Sequence, residues 1–193
     1  MPFIGNTIPS LSSSNFQKIL KFYLLECPVK TDRGRVAQRG LIFEQRGFQK
    51  HKLTLLLTAM KKMLFGNIIV FKTSNGDNRT VESELERSGI ANKPEFVVVR
   101  ATNTTNTEAI FYCIRNAMAH GTFSVSTRQN DIFYHFESHK DGKLRGRVCL
   151  NEETLLQWIN LIEKGTNAYH AGTIKEYKDA KALLIAPKVK KVR

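Results

Sequence analysis

At 193 residues the chain is long enough for one well-filled core and short for two full domains. A content of 41% hydrophobic and 24% charged residues excludes a disordered chain, and 30 Lys and Arg against 17 Asp and Glu leave a formal charge of +13. Such an excess favours a polyanionic partner: nucleic acid first, then an acidic protein or an anionic membrane surface. The richest apolar run, Leu53 to Leu57 with Ala59 and Met60, meets Lys61 and Lys62 well before the roughly 20 residues that span a bilayer. The N-terminus shows no charged region followed by a long apolar block, so no secretory signal is expected. Cys27, Cys113 and Cys149 are widely scattered, which fits reduced thiols rather than a disulfide framework. These features predict a cytoplasmic protein with no membrane association.

In chain order, Ser14 and Gln17 offer a capping box for a first helix, whose stripe of Phe16, Ile19, Leu20, Tyr23 and Leu24 ends at Cys27-Pro28. A second helical region is predicted from Asp32 through Val36, Leu41, Ile42 and Phe43, pausing at Gly47 and resuming over residues 48–64. Its many Lys and Arg form either a solvated face or one wall of a nucleic-acid groove. Residues 67–72 are a short apolar run that periodicity assigns to neither strand nor helix, and 74–78 are a turn. Residues 80–87 read as a short polar helix stopped by Ser88-Gly89, and 94–99 as a small apolar stretch.

The best-marked segment is 105–121, TNTEAIFYCIRNAMAHG. Thr105 and Glu108 form a Thr-x-x-Glu capping box, and Gly121 suits the left-handed position after the last turn. Ile110, Phe111, Cys113, Ile114, Ala117 and Met118 fall on one arc, while Tyr112, Arg115, Asn116, Ala119 and His120 fall on the other. An arginine and a histidine at one helix end suit a phosphodiester. The guanidinium binds phosphate oxygens bidentately, and an imidazole carries a proton near neutral pH. The plain alternative is that both side chains face solvent, as basic groups at helix ends commonly do.

After Gly121 the period turns from helical to alternating. Phe123, Val125, Ile132, Tyr134, Phe136, Leu144 and Val148 mark two or three short strands with turns at 129–131 and at Asp141-Gly142. His135 alternates with Tyr134 and Phe136, so it is expected to face away from the core near Arg145 and Arg147. His135 and His139 lie too far apart along a strand for a shared metal, and no neighbouring ligands complete a zinc spacing. Asn151 caps a further helix, with Leu155, Leu156, Trp158, Ile159 and Ile162 as its apolar stripe and Gly165 as its stop. A final helix is predicted from Thr173 to Pro187, followed by a basic tail.

The run Arg115-Asn116-Ala117-Met118-Ala119-His120 resembles the arginine-to-histidine signature of HEPN domains, in the form with a polar residue directly after the arginine. The capped helix, its apolar opposite face, the following glycine and the helical segments on both sides extend that pattern over residues 13–164. The resemblance, to stand-alone bacterial HEPN ribonucleases and toxins, implies a mostly α fold: a HEPN-like helical bundle with a small antiparallel β-hairpin or meander inserted after the motif helix. Residues 1–193 would then be a single domain, with 122–150 as the insertion and 187–193 as the basic tail.

The same resemblance implies a metal-independent endoribonuclease with no cofactor, a toxin or host-defence effector restrained by an antitoxin or other protein regulator. The RNA 2′-hydroxyl would attack the neighbouring phosphate to give a 2′,3′-cyclic phosphate. Arg115 would hold that phosphate, His120 would move a proton, and Asn116 would orient one or the other. Tyr112, His135, Arg145 and Arg147 are weaker candidates for RNA contacts. One helix supplies one histidine, so a homodimer through the motif helix would supply the other, and small Ala119 permits a close approach. The alternative is a non-catalytic HEPN module that binds RNA or an acidic protein partner.

Overall fold

The computed structural model describes residues 13–27, 47–48, 51–74, 77–102 and 104–165. The expected helical stretch from Asp32 to Phe43, the final helix from Thr173 and the basic tail lie outside the described residues. So does the centre of the 74–78 turn.

Helix α1 (Ser14–Leu20) is capped by Ser13, whose hydroxyl accepts from the Phe16 amide, one residue earlier than the sequence expectation. It runs on as a π-helical turn (Lys21–Glu26) that buries Phe22 and Tyr23. Helix α2 (His51–Met63) buries Leu53, Leu56, Leu57, Met60 and Met63. Strand β1 (Ile68–Phe71) follows, then helix α3 (Val81–Ser88) and strand β2 (Phe96–Arg100). Helix α4 (Asn106–Ala119) leads into the meander β3 (Phe123–Arg128), β4 (Asp131–Lys140) and β5 (Lys143–Asn151), and helix α5 (Glu152–Lys164) closes the described chain.

Among the described residues the strands form a five-stranded sheet in the order β1-β2-β5-β4-β3. Strands β1 and β2 are parallel, with α3 in the crossover between them, and the remaining pairs are antiparallel. The larger core joins one sheet face to α1, its π-helical extension, α2, α4 and α5. Within it Phe111 lies between Tyr23 and Trp158, at ring-centroid distances of 5.9 and 6.1 Å. A smaller core on the opposite face packs Val81, Leu85 and Ile90 against Phe71, Phe96, Val98, Phe133 and Cys149. No helix among the described residues is long and apolar enough to cross a membrane.

This architecture corrects the expected fold class. The protein is not a mostly α helical bundle carrying a small inserted hairpin; it is an α/β fold organised on a mixed five-stranded sheet. Residues 122–150 supply three of the five strands, and β5 pairs antiparallel with β2, Val97 opposite Val148. The reason lies in β2. Its residues Phe96, Val97, Val98 and Val99 are all buried, with Val97 and Val99 in one core and Phe96 and Val98 in the other. A strand covered on both faces reads as an unbroken apolar run and loses the alternation that identifies strands.

Candidate functional site

Helix α4 sets one wall of the site. Its start is fixed by a complete capping box: Thr105 Oγ1 accepts from the Glu108 amide at 3.2 Å, and the Glu108 carboxylate accepts from the Thr105 amide at 2.9 Å. Its end is fixed by His120 as the C-cap and by Gly121 at φ 68°, a left-handed conformation that glycine adopts without Cβ strain. Between these ends the apolar arc is buried against the sheet and the neighbouring helices.

Tyr112, Asn116 and His120 follow one another four residues apart, only about 40° of rotation each, so they form a single stripe along the helix. All three line one cleft of about 290 Å³. Arg115 lies about 140° around the axis from His120 and is not among the residues lining that cleft. Its charge instead acts on the Cys27 thiol, which burial pushes well above its ordinary value and Arg115 partly offsets.

The facing wall comes from strand ends. Arg100 stands at the end of β2, Ser138, His139 and Lys140 at the end of β4, and Arg145 near the start of β5. Arg145 reaches the cleft because of a β-bulge. Ser138 pairs with Gly146 but His139 pairs with Leu144, which leaves Arg145 as the extra residue. Across that bulge the even-numbered residues change face: Leu144 lies in the smaller core, whereas Val148 and Leu150 lie in the larger one. A bulge re-aims the side chains beside it, and here it turns Arg145 toward α4.

Gly146 allows the helix to sit this close. A Cβ at that position would stand 2.6 Å from Cys113 Sγ and 3.1 Å from a Val99 methyl group. Cys113 also lines the cleft, and burial pushes its thiol up to about 12, so it is a packing group and no thiolate nucleophile at neutral pH.

The electrostatics of the cleft are one-sided. Arg100, Lys140 and Arg145 line it, His120 and His139 join them, and no carboxylate does so among the described residues. The Nε atoms of Arg100 and Arg145 are buried and have no hydrogen-bond partner among the described residues. A buried guanidinium donor left open is costly unless something accepts from it. Arg100 does donate through Nη2 to Thr73 Oγ1. At the rim, His139 Nε2 stands 3.9 Å from a Glu137 carboxylate oxygen, while the other oxygen of Glu137 accepts from Arg147 at 2.8 Å.

The remaining sequence candidates lie elsewhere. Arg147 pairs with Glu137 and does not line the cleft. His135 does point away from Tyr134 and Phe136, but the sheet is covered on both sides, so it is only 6% exposed. It shares a 2.8 Å hydrogen bond with Ser126 and sits opposite Cys149. Burial, and secondarily the charge of Arg128, hold its imidazole below the ordinary value. The sequence does not mark His139, Arg100 or Lys140 as site residues, because strand order brings them to α4 and no local spacing records it.

Comparison with models of known families, with curated proteins and with solved structures finds no match to this chain. The chemistry of the cleft must therefore be read from its own residues.

Proposed function

We propose that this cleft binds a phosphodiester of RNA and cleaves it by attack of the neighbouring 2′-hydroxyl, without a metal ion. The observation that carries the reading is the meeting of two imidazoles, His120 and His139, with the cations Arg100, Lys140 and Arg145 in one cleft that no described carboxylate lines. The net charge of +13 adds long-range attraction for a polyanion.

In the reaction the 2′-oxygen forms a bond to phosphorus as the bond from phosphorus to the 5′-oxygen breaks. One imidazole accepts the 2′-hydroxyl proton, and the other, protonated, donates to the departing 5′-oxygen. The products are a 2′,3′-cyclic phosphate and a 5′-hydroxyl. Arg145 and Arg100 hold the phosphate oxygens as charge builds on them, which is the step where fixed cations help most. Asn116, between Tyr112 and His120 on the α4 stripe, orients the phosphate or the imidazole. Arg115 lies outside the lining, so Arg145 takes the phosphate-holding role in this reading. With two histidines in one chain, a homodimer through α4 becomes a question of assembly and is not required for the proton transfers. No residue of the cleft bears on a toxin role or on an antitoxin.

The test is an RNA oligonucleotide incubated with the protein in EDTA, alongside a copy carrying a single 2′-deoxy nucleotide at the cleavage site. Cleavage of the first only, with cyclic phosphate and 5′-hydroxyl ends, is expected. Cleavage of the deoxy copy, or products with 5′-phosphate ends, contradicts the mechanism. Binding of RNA without cleavage of either strand favours a non-catalytic binding module that uses the same cations.

A further inference from the structure

A second cavity of about 490 Å³ adjoins the cleft, and the two share Arg100, Thr102 and Thr104 in their walls. Beyond that shared wall it is lined by Lys72 and Thr73, with Glu108 at its side. The Glu108 carboxylate is engaged on the Thr105 amide at 2.9 Å. Lys72 and Thr73 directly follow β1, and Arg100 ends β2, so both cavities open at the carboxyl ends of the two parallel strands. Parallel strands leave their C-terminal edge as a crevice where ligands commonly bind. Arg100 belongs to both cavities: Nη2 is held by Thr73 on one side, while the buried Nε has no hydrogen-bond partner among the described residues.

We infer that the two cavities form one track for a single-stranded RNA, resting on the reading of the cleft as a phosphodiester site. The reacting phosphodiester lies beside His120 and His139, Arg100 grips the strand at the shared wall, and Lys72 contacts the phosphate of a nucleotide beyond it. Both volumes are of the order at which a pocket begins to hold a small organic ligand, roughly 300 Å³ and upward. The cleft therefore takes the phosphodiester of a dinucleotide with the groups next to it, and added nucleotides on one side of it reach Lys72. The threonines of the shared wall offer hydroxyls to phosphate and sugar without reading base identity.

The test uses binding, so that it stands apart from whether the protein cleaves RNA. Fluorescently labelled 2′-deoxy dinucleotide and tetranucleotide are titrated into the wild type, into Lys72→Ala and into Lys62→Ala. Lys72 is exposed, so its truncation leaves the core intact, and Lys62 is an exposed lysine that lines neither cavity. The tetranucleotide is expected to bind the wild type and Lys62→Ala about tenfold more tightly than the dinucleotide, through one added charge-assisted phosphate contact. Lys72→Ala is expected to lose that gain and keep its affinity for the dinucleotide. Equal affinity for the two lengths in the wild type, or the same gain in all three proteins, overturns the track. So does a gain lost equally in Lys62→Ala, because the effect is then general charge. Failure to cleave RNA in EDTA strikes the catalytic reading and leaves these affinities unaffected.

Discussion

Gly146 and Cys113 stand so close that a Cβ on Gly146 would lie 2.6 Å from Cys113 Sγ. That approach seats α4 on β5 one residue beyond the bulge that turns Arg145 into the cleft. The packing of one small residue is thereby tied to the position of a cation and of the Asn116 and His120 stripe.

Gly146→Ala is expected to destabilise the protein by about 1–3 kcal/mol, the usual cost of forcing an extra methyl into a packed core. Cys113→Ala removes the nearest obstructing atom, so the double variant should lose less than the sum of the single losses. The Val99 methyl group at 3.1 Å keeps the recovery incomplete. Urea unfolding of the four proteins checks this, and strict additivity would show that the two residues do not meet.

Arg145→Ala should separate function from stability. The side chain is partly buried and its Nε has no hydrogen-bond partner among the described residues, so truncation removes a desolvated donor along with some packing. The melting temperature is expected to stay level or rise slightly. RNA affinity should fall about ten- to hundredfold, as expected for a hydrogen bond between charged groups. A large drop in melting temperature would make Arg145 a structural residue instead.

His135 gives a pH dependence whose sign follows from its surroundings. Burial and Arg128 lower its value in the folded protein, whereas the unfolded chain titrates at about 6.5. On acidification the unfolded state binds the proton first. The stability tied to a neutral His135 is therefore complete above about pH 6.5 and is lost as pH falls from there through the lower folded value. The melting temperature of the wild type should fall between pH 7 and pH 5 by more than that of His135→Gln. Identical slopes would remove His135 as the source.

Much of the fold was legible where the chain signals its own ends. Thr105 with Glu108, Asn151 and Gly165 mark helix limits through caps that act within a few residues, and all of them act in the structure. The meander was legible through alternation and through turns at 129–131 and at Asp141-Gly142; Gln129, Asn130, Asp141 and Gly142 have positive φ, while Asp131 already begins β4. The sheet as a whole was not. Strands β1 and β2 are short apolar runs, and nothing local says that β5 will pair with β2. On α4, Tyr112, Asn116 and His120 lie on one narrow stripe, whereas Arg115 shares only the broad polar arc, about 140° from His120, and the cleft takes the stripe without it. The sequence places Arg145 only as a neighbour of His135; it reaches the cleft through a bulge that no residue pattern announces. His139 meets α4 only because β4 packs across that helix.

The most direct measurement is the single-turnover rate of RNA cleavage in EDTA for the wild type, His120→Ala, His139→Ala and Arg115→Ala. Loss of a proton-transferring group typically costs about 10²–10⁴ in rate, so both histidine variants should fall by that amount while Arg115→Ala stays near the wild type. If His139→Ala cleaves as fast as the wild type and Arg115→Ala is inactive, the cleft between α4 and the ends of β2, β4 and β5 is not where the chemistry occurs.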